Sequence, residues 1–149
     1  MPIRRAALAV LALALAAGCI AHPVGPARTL GKYQGKAVTT AESALSSVET
    51  ARLAADSAPK SFGPYTAQVV SDAEEAVAKV QGTFESIQPP GQGADALHDE
   101  LSELLQTASD HVREVRVAAR RGELDELAGT AEPLREDADR LRDFAERYK

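Results

Sequence analysis

Along the last quarter of the chain, Leu124, Leu127, Ala131, Leu134, Ala138, Leu141, Ala145 and Tyr148 follow one another at steps of three and four without a gap. That spacing places them along one side of a helix and fits no strand, in which side chains alternate between faces. A helix greasy on one side needs other greasy sides to cover it. The same spacing occurs three more times.

In the first such segment Leu30, Tyr33, Ala37, Ala41, Ala44, Val48, Ala51 and Ala55 form the stripe, with Thr29 placed to cap the start and Pro59 to stop the end near Ala58. The second carries Val69, Ala73, Val77, Val80, Phe84 and Ile87, starts with Pro64 in its first turn and ends before Pro89-Pro90-Gly91. The third runs from about Ala94 to Arg120 on Leu97, Leu101, Leu104, Ala108, His111, Val115 and Ala118. Acidic Asp95, Asp99, Glu100 and Glu103 gather at its start and Arg113, Arg116, Arg120 and Arg121 at its end, which complements the helix dipole, and Gly122 is placed to close it. The fourth is predicted as one helix over Glu123–Tyr148, bent at Pro133, with the Gly129 carbonyl left without its partner.

Four helices of about 25 residues, each roughly 38 Å long, predict an all-α domain over residues 30–149. Short connections favour an antiparallel up-down-up-down four-helix bundle; two helical hairpins that dimerise would satisfy the same stripes. Composition agrees, since aromatic residues are 4% of the chain and Trp is absent.

The chain opens differently. Arg4 and Arg5 precede an uninterrupted apolar run, Ala6 to Ala17, followed by Gly18 and Cys19. A charged, then greasy, then small-residue order marks a secretory signal. Its twelve apolar residues would span roughly 18 Å as helix, short of the ~30 Å of a bilayer core. Residues 1–19 resemble the leader of the bacterial lipoprotein class, in which a small residue precedes a cysteine that is lipidated. The class usually has Leu three places before the cysteine, where this chain has Ala16 and carries Leu15 one place earlier.

The resemblance implies a signal peptide over residues 1–18, cleavage between Gly18 and Cys19, and a diacylglyceryl thioether and a further acyl chain such as palmitate on Cys19. It also implies export and anchoring to the outer face of the cell membrane, or to an outer membrane where one exists. Pro23 and Pro26 then make residues 19–29 an extended tether in which His22 is a solvated linker residue.

Charge narrows the partners. The formal −5 of the whole chain becomes −7 once Arg4 and Arg5 leave with the leader, which disfavours nucleic acid. It also repels anionic lipid headgroups, so membrane attachment falls to the lipid on Cys19. Cys19 is the sole cysteine, which removes internal disulfides and Cys-x-x-Cys chemistry.

Catalytic signatures are sparse. There is no Gly-x-Ser-x-Gly elbow, phosphate loop, EF-hand or Glu-x-x-His pair of a di-iron bundle, and the carboxylates fall on the faces predicted for solvent. The chain reads as a non-enzyme without a cofactor. His111, alone among polar side chains on the third stripe, is a candidate core polar site, either a ligand position or a histidine hydrogen-bonded in place. Asp95, His98 and Asp99 share one helix start, where they would hold a cation or simply be solvated.

In the up-down arrangement the pole away from the tether carries Phe62, Tyr65, Arg120 and Arg121. Arginine and aromatic residues are what protein–protein hot spots use, making this tip the candidate interaction surface for an envelope protein. The plainer reading is that Phe62 staples the second helix and the arginines cap the third. The expected function is a lipid-anchored, non-catalytic binding or scaffold module. Alternatives are a carrier or sensor holding a small ligand or metal between the helices, and an oligomerising spacer.

Overall fold

Thr29 opens the first helix in extended conformation, its hydroxyl accepting the Lys32 amide at 3.3 Å. One of the four amides that a helix start leaves unpaired is thereby satisfied. The computed structural model describes residues 29–149. Cys19, the leader before it and the segment up to Arg28, with the expectations placed on them, lie outside the described residues.

Those residues form α1 (Leu30–Ser57), α2 (Gly63–Glu85), α3 (Asp95–Arg121), a single turn α4 (Leu127–Thr130) and α5 (Pro133–Tyr148), with 3-10 turns at Ala58–Lys60 and Gln92–Ala94. The all-helical expectation holds, with four long helices and no strand among the described residues. Gly122 ends α3 in the left-handed region at φ 78°. Its amide reaches the Ala119 carbonyl at 3.1 Å and that of Glu123 reaches Ala118 at 3.2 Å, the closing bonds for which glycine is favoured after a helix.

The last segment departs from expectation. It is not one bent helix from Glu123: a turn precedes α4, and the Ala131–Glu132 link separates α4 from α5. Pro133 has no amide to continue the ladder and instead begins a new helix, where a missing donor costs nothing. Nor is the Gly129 carbonyl orphaned, because the chain tightens and Glu132 donates to it at 3.2 Å. Beyond the break the stripe stays in phase, and Leu134, Ala138, Leu141 and Ala145 are buried.

Two stripe assignments shift. Leu30, at the first helical position, is exposed, and Val70 with Thr66 is buried in α2 where Val69 was expected. Along α1, Ala37, Ala41, Ala44, Ala51 and Ala55 are fully buried. Their single methyl groups let neighbouring backbones come close, and α1 accordingly packs on α2, α3 and α5.

Side-chain pairs between helices step in opposite senses along the chain. Glu42–Lys149 (2.9 Å) and Glu49–Arg142 (3.3 Å) join α1 to α5. Gln81–Gln106 (2.9 Å) and Glu74–Arg113 (3.5 Å) join α2 to α3. Tyr148–Glu100 (3.2 Å) and Asp137–His111 (2.7 Å) join α5 to α3.

Candidate functional site

Pro59 stops α1 and Pro64 seats the first turn of α2, so the chain reverses within a few residues and presents Phe62 at the corner. Phe62 is the N-cap of α2, with an extended backbone and no side-chain capping bond. Its ring is 74% exposed, which corrects the staple reading: a staple must pack its side chain onto the first turn. Tyr65, in the first turn of α2, is 66% exposed, and Leu53 on the last turns of α1 is 55% exposed.

Leu53 and Tyr65 face the same cleft, about 360 Å³ in volume, between α1 and α2, with Ser57, Ser61 and Val69. A second cleft of about 440 Å³ lies on the other side of the α2 start, lined by Gly63, Pro64, Ala119, Arg120 and Leu124. Leu124 closes its floor so tightly that a methyl group at Gly63 would lie 2.9 Å from the leucine Cδ1.

Phe62, Tyr65 and Arg120 are therefore brought around one helix start. Arg121 is not among them, because it borders a separate cleft of about 330 Å³ with Arg113, Val117 and Thr130. Both arginines lie in the last turn of α3, where a cation meets the negative end of the helix dipole. Leu53 was missed from sequence, since its position off the α1 stripe predicts only solvent exposure and does not reveal that Tyr65 stands across from it.

His111 has a different setting. Its Nδ1 lies 2.7 Å from Asp137 Oδ2, and the side chains are 30% and 5% exposed. Burial pushes the Asp137 carboxyl above its ordinary range, while the bond from His111 and the nearby Arg140 pull it back in part. A carboxylate expected in solvent is thus buried. The signal was available: in α5 the stripe widens to pairs, and Asp137 and Ala138 occupy it together, as do Phe144 and Ala145. His111 borders none of the clefts at the pole; its polarity answers Asp137.

His98 also has a partner rather than a place in a cation clamp. The Tyr33 hydroxyl meets His98 Nδ1 at 2.6 Å, and the imidazole stacks on Phe84 with ring centres 5.2 Å apart. Burial, with smaller contributions from Asp95 and Asp99, pushes the Tyr33 phenol up to about 12. Among the described residues no three His, Cys, Asp or Glu side chains are grouped to hold a metal ion.

No protein-family model, curated protein or solved structure matches the chain.

Proposed function

We propose that this chain is a lipid-anchored, non-catalytic binding module of the bacterial cell envelope, which meets its partner through the pole carrying Phe62 and Tyr65. The observation that carries the reading is that pole. Leu53, Phe62 and Tyr65 stand in solvent beside a cleft, and large apolar side chains gathered in the open mark interaction surfaces.

The oppositely stepping pairs between helices support an up-down-up-down antiparallel arrangement. Thr29 and Lys149 then share one pole and Phe62 the other. A chain tethered through Cys19 would hold the Phe62 pole away from the bilayer. No helix among the described residues is long and apolar enough to cross a membrane, so the order of Arg4, Arg5, the apolar run and Cys19 supports attachment by acyl chains.

Labelled palmitate supplied to cells should enter the wild-type protein and not Cys19→Ala, which should leave the membrane fraction. A photo-cross-linker at position 62 should then trap a discrete adduct that the same group at Asp139 does not. Labelling of Cys19→Ala would end the anchor reading, and identical adducts at both positions would end the tip reading.

A further inference from the structure

Most arginines of this chain are already committed. Among the described residues Arg52, Arg113, Arg116, Arg135, Arg142 and Arg147 each pair with a carboxylate, and Arg140 acts on Asp137. Arg120 and Arg121 pair with none among those residues. In a sequence where acidic residues outnumber basic ones 22 to 17, that is not for want of carboxylates. Glu123, Asp125 and Glu126 follow on the next turn, yet none of them lines the Arg120 cleft.

That cleft is of one kind throughout. Gly63 and Gly122 have no side chains, so the space between the start of α2 and the end of α3 stays open at about 440 Å³, and Pro64, Ala67, Ala119 and Leu124 give it apolar walls. Arg120 is its one charged lining residue. The Arg121 cleft carries Glu114 and Glu123 as well, and the clefts along α5 mix both signs, so these favour neither. The Leu53 cleft has no charged lining residue.

We infer that the Arg120 cleft takes an acidic, apolar segment of a partner polypeptide, in which a large apolar side chain enters the cleft and a neighbouring carboxylate pairs with the guanidinium. This rests on the proposal that the pole meets a protein, and it names the chemistry of the contact. A guanidinium grips a carboxylate through two parallel N–H donors, which sets direction as well as sign. A small free acid fits less well, because ligand pockets bury about 70–90% of what they hold and this cleft is open to solvent. A side chain projecting from a protein brings its own cover. Phe62 and Tyr65, exposed around the same helix start, would be covered with it and keep water from the ion pair, as the rim of a hot spot does.

The test screens the full chain, held in detergent micelles, against short random peptides displayed on phage. Peptides recovered on the wild type should carry Asp or Glu next to a large apolar residue. As synthetic peptides they should bind Arg120→Gln at least about tenfold more weakly, the loss of one charge-assisted bond. On Arg120→Glu, with helical content kept, the recovered acid should give way to Lys or Arg while the apolar neighbour stays. Recovered peptides with no common acid, or the same acidic peptides recovered on Arg120→Glu, would overturn the inference. The proposal for the pole survives that result if Phe62→Ala still weakens the recovered peptides. Peptides that bind Phe62→Ala and Arg120→Gln as tightly as the wild type would overturn both.

Discussion

Replacing His111 by alanine tests how much the α3–α5 contact owes to its buried polar bond. Asp137 is 4% exposed and His111 is its hydrogen-bond partner at 2.7 Å, so truncation leaves a buried carboxylate unanswered. Removing one member of a fully buried ion pair costs about 3–5 kcal/mol, and losing a hydrogen bond to a charged group about 1.5–3 kcal/mol. The His111 side chain is 30% exposed, so water reaches the vacated place and the lower range applies, near 2 kcal/mol. With a urea slope of about 2 kcal/mol/M, the midpoint followed by far-UV circular dichroism should fall by about 1 M with the slope unchanged.

The pH dependence fixes the sign. Burial raises the folded Asp137 carboxyl above its ordinary 3.8, so the folded chain holds that proton more tightly than the unfolded one. The resulting stability is complete below 3.8 and is lost as pH climbs through the raised folded value. Asp137→Asn should remove this downward slope. A midpoint change under about 0.2 M in His111→Ala, or parallel stability–pH curves for wild type and Asp137→Asn, would refute the account.

Other outcomes follow from the same structure. Gly122→Ala should cost about 1 kcal/mol in chemical denaturation, because φ 78° is strained for any side chain, whereas Gly35→Ala, with nothing within 4 Å of the added methyl, should stabilise α1 by about 0.5–1 kcal/mol. Phe144, fully buried against Tyr148 with ring centres 4.8 Å apart, should lose about 3–5 kcal/mol on truncation to alanine, read from the same urea curves. Of the three tyrosines, Tyr33 should ionise near pH 12 in an ultraviolet titration, and Tyr33→Phe should delete that step. Since the folded phenol lies above its unfolded value of 10, its contribution to stability is present below pH 10 and disappears as pH rises toward 12.

Much of the fold was legible because its signals are local. Thr29, Pro59, Pro64 and Gly122 each impose a start or a stop through their own backbone chemistry, and three of the long helices begin or end within two residues of those marks. The fourth was misjudged because a proline inside an unbroken stripe admits two outcomes, a bend or a restart. The choice turned on whether Glu132 could tighten back onto Gly129. The polar contacts were illegible for another reason: Tyr33 meets His98 across 65 positions and His111 meets Asp137 across 26. Periodicity names a face but not the residue opposite. At the pole, Phe62 and Tyr65 were legible as candidates from residue type, whereas the divergence of Arg121 from them depends on the rotation of α3.

The buried alanines of α1 change what this chain can tolerate over evolutionary time. Most cores are vulnerable to loss of atoms, and there each lost methylene opens a void. Along α1 there is almost nothing to lose at Ala37, Ala41, Ala44, Ala51 and Ala55, and no space to gain, so drift toward bulk is the hazard. Variation is thereby channelled to the outward side of the same helix, up to the last turns that carry Leu53, while the inward side stands still.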